Sequence, residues 1–494
     1  MQKRALFLVL LLALAVSGAY ARDLFDSEAG FLWELSCDGS SVIITGYTGT
    51  NTDIRIPPRI QGLPVSGIGD YAFSEEGLCY GFVQASRQFT GVVFPGTVTH
   101  IGRGAFRGSL LSEMTIPQSV IYIGWTAFCS NRLISLTIAD APVYLAEWAF
   151  CCNQLEHVDL GTSITYIGEG AFSNNRLVCV SIPGSVASIG LEAFNRNRLA
   201  SVTIGCGVRS ISEWAFANNE ISSVIIPDSV RSIAERAFWR NLLSSVVIGS
   251  GITEIGRAVF AENLLTSVVI GPNVTFIGDA AFAENRLESM VIGSGVTHIG
   301  ELAFAGNRLE SVIIPDSVTH IGEGAFVENR LESVTISDSV TYIGVGAFWD
   351  NRLTSVSVGS NVVEIGEGAF AENRLESVTI PGSVTSIGNG AFWSNRLTSV
   401  DIGSSVIEIW EYAFATNRLE SVIIPDSVRY IGKEAFADNP LASVSIGGNV
   451  EIVWSGFFHD RNIFGTSFAA FYESQDRRAG TYTYRDGEWS FQPR

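Results

Sequence analysis

Few residues of this chain combine the types and spacing that catalysis or metal binding requires. The 494 residues include five histidines, of which His298 and His320 lie 22 positions apart. Two imidazoles at that spacing could share a metal ion if the chain repeats in register, but the next equivalent residue is Tyr342, so a third ligand is missing. The sequence also lacks the glycine-flanked serine of hydrolases, the HExxH motif of zinc proteases and a phosphate-binding glycine loop. It therefore predicts no catalytic, cofactor or metal site and indicates that the protein is not an enzyme.

The cysteines are the other side chains with reactive chemistry, and their spacing suggests a disulfide. Cys129 and Cys151 each follow an Ala-Phe pair and lie 22 positions apart. Equivalent residues in neighbouring coils of a stacked repeat lie about 4.8 Å apart, which falls within the Cα–Cα range of a disulfide. Cys152 competes for the same partner, and Cys37 and Cys79 could link the N-terminal end. The alternative is that the thiols stay free and pack as small apolar groups.

Two rows of aromatic side chains are the candidates for binding a partner. Their members recur at every 22nd position, between an inward-facing valine and an inward-facing isoleucine, so part of this stretch faces solvent. The first row is His100, Tyr122, Tyr144 and Tyr166, and the second row is Phe276, His298, His320 and Tyr342. Stacked, exposed aromatic rings are typical of surfaces that bind a protein or a glycan. The alternative is that the rings stack on one another and only stiffen the repeat.

A third row is charged. Arginines recur with the same spacing, and most are followed two positions later by a glutamate. The arginines are Arg286, Arg308, Arg330, Arg352, Arg374, Arg396 and Arg418, and the glutamates are Glu288, Glu310, Glu332, Glu376 and Glu420. Because charges of alternate sign on one face neutralise each other, the row predicts a solvated stripe of ion pairs.

The element that positions all of these residues is a 22-residue repeat. A phenylalanine, nearly always in an Ala-Phe pair, recurs in register sixteen times from Phe106 to Phe436, and fifteen asparagines recur from Asn131 to Asn439. Numbered from the asparagine as position 1, the repeat is N-R-L-x-S-V-x-I-[PG]-x-S-V-x-x-I-G-x-x-A-F-x-x. The V-x-I stretch predicts a short strand that the next proline or glycine ends, and x-x-A-F predicts a single helical or 3₁₀ turn. A fixed period of this length indicates a stacked solenoid, in which the asparagine amide satisfies backbone groups of its own coil and of the adjacent one.

The repeat resembles the BspA-like (treponemal-type) leucine-rich repeat. That family's pattern, L-x-x-V-x-I-P-x-S-V-x-x-I-G-x-x-A-F, is matched almost literally by Leu309 to Phe326, and the coil from Ile54 to Phe73 resembles the family's opening repeat. One departure is Asn-Arg-Leu where many members carry Cys-x-x-Leu, which shortens a corner of the coil. The resemblance implies a leucine-rich-repeat solenoid of about 17 coils, each one 22-residue repeat long, with short parallel strands, helical or 3₁₀ turns and a cap at both ends. It also implies a bacterial protein that is secreted or exposed at the cell surface and adheres to host matrix proteins or to other cells.

The ends and one interruption complete the predicted organisation. Residues 1–21 are typical of a signal peptide, because a basic start and an apolar run precede the cleavage site Ala19-Tyr20-Ala21. Residues 22–51 are expected to form an N-terminal cap and residues 52–450 the solenoid, with an insertion at 74–90 that is either a functional loop or a tolerated extension. Residues 451–494 are predicted to form a C-terminal cap or a surface-attachment tail, with a short helix over 466–475 and a β-hairpin about an Asp-Gly turn.

Composition and resemblance together narrow the function. The net charge of −19 disfavours nucleic acid and anionic lipid as partners, and no second apolar stretch near ~20 residues predicts a membrane span. We expect a secreted protein located outside the cell or at its surface, with the periplasm as the alternative. The leading hypothesis is a non-enzymatic, adhesin-like binding solenoid whose partner is a host-matrix or other cell-surface protein, or a glycan. The alternative is a structural spacer of the envelope or matrix whose length is its function, favoured by the near-identity of the coils between residues 285 and 438.

Overall fold

The structure is a computed structural model that describes residues 25–74, 89–453, 466–485 and 488–494. The predicted signal peptide at 1–21, Cys79, most of the insertion at 74–90 and the predicted Asp-Gly turn lie outside these residues. The fold is a parallel β-solenoid of about 18 turns of ~22 residues, which confirms the predicted fold class. The chain divides into two compact units, Met1–Ile221 and Ser222–Arg494, both built from the same coil.

The coil that begins at Asn285 illustrates how the repeat folds. Its first strand covers Ser289–Val291 and its second strand covers His298–Ile299. Side chains at repeat positions 3, 8, 12, 15, 19 and 20 are buried, whereas those at positions 5 and 7 are exposed. One coil cannot cover its own apolar edge, so within each unit the second strands of neighbouring coils pair in parallel, as His298 does with His320.

The N-terminal unit begins with a 3₁₀ helix at Glu28–Gly30 and an antiparallel hairpin of Phe31–Leu35 and Val42–Tyr47. Arg59–Ile60 then pairs antiparallel with Leu63–Ile68, and Leu63–Ile68 lies parallel to the second hairpin strand. The first strands of its coils are Asp53–Arg55, Gly91–Val93, Glu113–Ile116, Ser135–Ile138, His157–Asp159, Cys179–Ile182 and Ser201–Ile204. The second strands are His100–Ile101, Tyr122–Ile123, Tyr144–Leu145, Tyr166–Ile167, Ser188–Ile189 and Ser210–Ile211.

The C-terminal unit continues the two series of strands. Its first strands are Ser223–Ile225, Ser245–Val247, Ser267–Val269, Ser289–Val291, Ser311–Ile313, Ser333–Thr335, Ser355–Ser357, Ser377–Thr379, Ser399–Asp401, Ser421–Ile423 and Ser443–Ile446. Its second strands are Ser232–Ile233, Glu254–Ile255, Phe276–Ile277, His298–Ile299, His320–Ile321, Tyr342–Ile343, Glu364–Ile365, Ser386–Ile387, Glu408–Ile409, Tyr430–Ile431 and Glu451–Ile452.

Beyond the last coil, the chain forms a helix and a hairpin. The helix, α1, covers Thr466–Ser474, and the hairpin strands are Gly480–Arg485 and Glu488–Pro493, where the sequence predicts them. The first hairpin strand pairs antiparallel with Ser443–Ile446. The Tyr472 hydroxyl, carried by α1, donates a hydrogen bond of 2.8 Å to the Gly447 carbonyl. These contacts pack the C-terminal segment against the last coil.

The phenylalanine column is the centre of the core. Each of its members from Phe106 to Phe436 is fully buried. Within each unit, neighbouring rings lie 5.1–5.8 Å apart between centroids and nearly parallel. The stacking follows from the period, because residues 22 positions apart meet the same neighbours in adjacent coils.

The asparagine column ties each coil to the preceding one, as the sequence predicts. The Asn285 side-chain Nδ2 donates to the Phe282 carbonyl, three residues earlier, at 3.1 Å and to the Phe260 carbonyl, 25 residues earlier, at 2.9 Å. The Asn285 Oδ1 accepts the Leu265 N–H at 3.0 Å. The amide therefore satisfies backbone groups that the corner would otherwise bury without partners.

The Ala-Phe corner differs from the prediction. The x-x-A-F segment is a hydrogen-bonded turn and not a helical or 3₁₀ turn, because a left-handed residue lies within it at position 18 of the repeat and another follows it at position 22. In the coil of Asn285 these are Leu302 and Gly306, with φ of 54° and 63°. A left-handed residue ends any right-handed helix. The corner is instead held by bonds to the next coil, such as that from the Phe282 N–H to the Ala303 carbonyl at 2.8 Å.

Candidate binding surfaces

The first aromatic row lies on second strands of the N-terminal unit. Tyr122, Tyr144 and Tyr166 pair in register through parallel strands. Ring centroids are 5.8 Å apart for Tyr122 and Tyr144 and 4.5 Å apart for Tyr144 and Tyr166, and His100 lies 6.0 Å from Tyr122. Tyr166 is half-buried and the other three side chains are exposed. The structure thus brings the four predicted residues together in a row that stacks internally and still faces solvent.

The second aromatic row contains the two stacked histidines. His298 and His320 lie 4.7 Å apart with ring planes at 10°, and Phe276 lies 6.2 Å from His298. Tyr342 follows His320 in strand register. In each histidine, Nδ1 lies 2.8 or 2.9 Å from the hydroxyl of the preceding threonine, which orients the ring. Each imidazole therefore has only Nε2 left for a ligand or a partner.

One tyrosine of each row, Tyr144 and Tyr342, is held in its neutral form at physiological pH. Burial raises the pKa of Tyr144, and the neighbouring Tyr166 and Glu147 raise it further. Burial likewise raises the pKa of Tyr342, which also has carboxylates nearby. The first row therefore presents stacked rings with hydroxyl groups, and the second row presents two imidazoles between a phenyl and a phenol ring. Both sets of aromatic rings suit protein surfaces and glycans.

The charged row does not form the predicted ion pairs. All of its arginines and glutamates are exposed, but in the described part of the chain no salt bridge joins one to another. The physical reason is that an exposed pair gains little Coulomb energy in water and loses the rotamer freedom of two long side chains. The prediction of an ion-pair stripe was therefore wrong, and the row is a band of separately hydrated charges.

The structure brings Cys129 and Cys151 together. Both are buried, with free thiols whose Sγ atoms lie 2.8 Å apart. The exposed Cys152 completes a group whose Sγ atoms all lie within 4.8 Å of one another. Hydrogen bonds with Cys129 and Cys151 lower the pKa of the Cys152 thiol to about 3, and the contact with Cys129 raises the pKa of Cys151.

Among the described residues, this cysteine group is the arrangement of three ligands that could hold a metal ion. Two thiolates on a tetrahedral zinc ion, with Zn–S distances of about 2.3 Å, lie roughly 3.8 Å apart. The contact of 2.8 Å between Cys129 and Cys151 is too short for that arrangement. A disulfide between these two residues stays a prediction.

A row of exposed aliphatic side chains lies on the C-terminal unit, on a face that the sequence analysis did not single out. Position 7 of the repeat carries a branched apolar residue in five consecutive coils, each 57–85% exposed. These residues are Ile225, Val247, Val269, Val291 and Ile313. In the next four coils the same position is polar, from Thr335 to Asp401, and in the coil after them it is the exposed Ile423. The sequence contains the signal for this row. The V-x-I alternation predicts that position 7 points outward, and in these coils position 7 is isoleucine or valine.

A groove on the Ala-Phe corners of the C-terminal unit was also missed. Its walls are Trp349 and Trp393 at repeat position 21, two coils apart, with Ala371 between them. Its floor includes Gly368 and Gly390 at position 18, and it encloses about 410 Å³. The signal in the sequence is a run of glycines at position 18 beside tryptophans at position 21, which is visible only once the repeat is aligned.

The chain matches the model of one protein family. That model, the BspA type leucine rich repeat region, matches residues 68–199, 172–288, 275–396 and 343–464. Curated protein sequences give no match. In the described residues, no helix is both long enough and apolar enough to cross a membrane.

Several solved structures are similar in fold. A leucine-rich repeat protein from Bacteroides ovatus shares 20% identity over 88% of this chain and 91% of its own, with a TM-score of 0.44. A leucine rich cell surface protein from Faecalibacterium prausnitzii shares 24% identity over 87% of this chain and 95% of its own, with a TM-score of 0.34. The pneumococcal vaccine antigen PcpA shares 18% identity over 70% of this chain and 89% of its own, with a TM-score of 0.39.

Proposed function

Because the chain belongs to the BspA-type leucine-rich-repeat proteins, we propose that it is a non-enzymatic, adhesin-like binding protein of the bacterial surface. It binds a host-matrix or other cell-surface protein through side chains displayed in rows on a repetitive scaffold. Many modest contacts, evenly spaced along the repeat, add up to a stable complex. The aromatic rows are secondary contact surfaces that extend the same mode of binding, and a glycan partner would use them.

The observation that carries this proposal is the aliphatic row from Ile225 to Ile313. Five branched apolar side chains stand side by side on the strand face, and exposed apolar patches of this kind mark interaction sites. Parallel strand pairing fixes the spacing of Ile225 and Val247 and that of Val269 and Val291. Little conformational entropy is therefore lost when a partner covers them.

The test replaces four members of the row with threonine, which this chain itself carries at the same repeat position in Thr335. The variant combines Val247→Thr, Val269→Thr, Val291→Thr and Ile313→Thr. Each change removes at least one methyl group from the contact, so four changes should cost about 3–4 kcal/mol of binding free energy, at ~0.8 kcal/mol per buried carbon. Affinity for immobilised extracellular-matrix proteins should fall about 100-fold or more in biolayer interferometry, with the thermal transition unchanged.

The matched control changes the polar row of the N-terminal unit at the same position, Thr115→Ser and Thr137→Ser, and should leave affinity unchanged. Equal affinity of the aliphatic variant and the unchanged protein would exclude this surface.

The first aromatic row is tested in the same assay by replacing His100, Tyr122, Tyr144 and Tyr166 with serine, since the chain carries Ser188 at the same repeat position. Equal loss of binding and of thermal stability would make that row structural only.

Location at the surface rests on the family and on the signal-like residues 1–21. Protease treatment of intact cells should remove the protein, as detected by immunoblot, and protection from the protease would place the protein in the periplasm.

The second candidate function, a spacer, is favoured by the near-identity of the coils between residues 285 and 438. Deleting one 22-residue coil outside the aliphatic row, residues 351–372, should leave a spacer functional and a binding protein's affinity intact. Deleting residues 263–284 should lower affinity only in a binding protein.

A further inference from the structure

The tryptophan groove of the C-terminal unit has chemistry that the aliphatic row does not share. We infer that it binds cationic side chains, arginine in particular, of a basic polypeptide partner. The inference concerns a different surface from the proposed function and goes beyond it. It rests on the shape of the groove, on the charges around it, and on an equivalent arrangement elsewhere in the same unit that is already occupied by an arginine.

The groove exists because glycine replaces larger residues at repeat position 18. The backbone there is left-handed whatever the residue, since Leu302, Gly368 and Tyr412 have φ of 54°, 59° and 56°. Glycine is therefore not required by the conformation. Where Leu302 is present, its side chain fills the space beside Gly324, whereas the space beside Gly368 is open. Tyr412 closes the groove at its far end.

The walls are aromatic and carboxylates lie beside them, while one cation, Lys433, lies 6.0 Å from the ring centroid of Tyr412 at the far end. Trp349 and Trp393 are 43% and 37% exposed, so part of each indole is accessible to a partner. Glu367 lines the groove, and no lysine or arginine does among the described residues. Asp350 and Glu372, which follow the repeat's position 21, are both exposed beside it. A cation is the group that gains from both an indole face and nearby carboxylates.

The same unit already holds one arginine in this way. The Arg240 guanidinium lies 4.1 Å from the ring centroid of Trp239. Its Nε donates to Glu262 at 2.6 Å, and Glu262 also accepts the Trp239 indole N–H at 3.1 Å. Tryptophan at position 21, arginine at position 22 and glutamate one coil later therefore form a complete cation site within the chain.

Trp349 and Glu372 occupy the same repeat positions as Trp239 and Glu262, but the position of Arg240 is taken by Asp350. The groove therefore has the tryptophan and the carboxylate of the Arg240 site but has no arginine at the position of Arg240. An arginine from another polypeptide completes the arrangement. The open space beside Gly368 admits the rest of that side chain. A glycan would also stack on the tryptophans and donate hydroxyl hydrogen bonds to the carboxylates, but a neutral sugar would not neutralise their charge as a cation does.

The test uses a fluorescein-labelled peptide of four Gly-Arg repeats as the probe and fluorescence anisotropy as the readout. A peptide with citrulline in place of arginine keeps the shape and removes the charge, and its affinity should be at least tenfold lower. Asp350→Arg should also weaken binding at least tenfold, because the new side chain covers Trp349 as Arg240 covers Trp239. Gly368→Leu should do the same by filling the groove, as Leu302 does beside Gly324.

The matched control is Asp438→Arg, which makes the same charge change at position 22 of a coil that has Ala437 at position 21. It should alter affinity less than twofold, and so should the threonine variant of the aliphatic row, which separates this inference from the proposed function. Equal weakening by Asp350→Arg and Asp438→Arg would reduce the binding to net-charge attraction and overturn the inference. Equal affinity for the citrulline and the arginine peptides would also overturn it. So would a Gly368→Leu variant that no longer binds cellohexaose but binds the arginine peptide as well as the unchanged protein does.

Discussion

Replacing Asn285 with alanine should destabilise its coil strongly, because one buried amide serves four backbone groups. The side-chain Nδ2 lies 2.9–3.2 Å from the carbonyl oxygens of Phe260, Phe282 and Ala283. The Oδ1 accepts the N–H of Leu265, and Asn285 itself is buried. Alanine offers no partner to any of these groups. The carbonyls of Phe260, Phe282 and Ala283 each keep one other donor, whereas the Leu265 N–H keeps none among the described residues.

The magnitude follows from the groups left without partners. A buried donor or acceptor that loses its only partner costs about 1–3 kcal/mol. Only the Leu265 N–H loses its only partner, so we expect a loss of about 1–3 kcal/mol in the free energy of local unfolding. Because each coil contacts only its neighbours, the loss should be confined to the coils next to Asn285.

The assay is hydrogen–deuterium exchange by mass spectrometry, which reports the free energy of opening peptide by peptide. The control is Asn273→Ala, which removes a single exposed hydrogen bond to the Ser250 carbonyl and should change stability by less than ~0.5 kcal/mol. Similar small changes for both substitutions would refute the role assigned to the asparagine column. A loss spread evenly over the C-terminal unit would refute the nearest-neighbour reasoning.

The substitution Asn285→Asp separates the acceptor from the donors. It keeps the oxygen that accepts the Leu265 N–H but, when ionised, sets a carboxylate against two carbonyl oxygens. The pKa of the new carboxyl should therefore lie above the ~3.9 of an unfolded aspartate. When the pKa is higher in the folded state, stability is greatest at a pH below the pKa of the unfolded state. It then falls as the pH rises through the pKa of the folded state. The variant should be closer to the unchanged protein at pH 4 than at pH 7.

Three further predictions concern the core, the cysteines and the C-terminal segment. Phe304→Ala should cost about 3–5 kcal/mol through the cavity it leaves, and exchange should rise only in adjacent coils. Mass spectrometry of protein purified without reductant should find a peptide linking Cys129 to Cys151, and Cys152→Ser should retain it; a link through Cys152 would contradict this. Burial raises the pKa of Tyr482 to about 12. Stability should therefore fall as pH rises from ~10 towards 12, and Tyr482→Phe should remove one late phenolate from the absorbance titration at 295 nm.

The repeat made much of this molecule predictable. Residues one period apart must meet in adjacent coils, so the stacked Phe106–Phe436 column, the corner asparagines and the contact between Cys129 and Cys151 all follow from spacing. The same rule placed Tyr122, Tyr144 and Tyr166 in one row. Buried positions were predictable too, because the alternation of apolar residues leaves each coil only one face to cover.

The errors arose where spacing alone does not decide the outcome. Arg286 and Glu288 are near neighbours in every arrangement of the chain, but competition with water keeps them apart. The Ala-Phe corner has a helix-like composition, but left-handed residues such as Leu302 interrupt it. The corner adopts this conformation because its backbone groups bond to the next coil, which the composition of one coil does not reveal.

By itself, the sequence determined the period, the inward face of each coil and the columns that fill it, because these depend on one-dimensional spacing and on the burial of apolar groups. The tertiary structure decided which outward residues present a usable surface. Ile313 is 85% exposed and Phe304 is fully buried, and the difference lies in the direction of each side chain from the coil. The groove beside Gly368 forms because the surrounding coils carry no large side chain there. Its walls come from different coils, so the groove exists only once the coils are stacked.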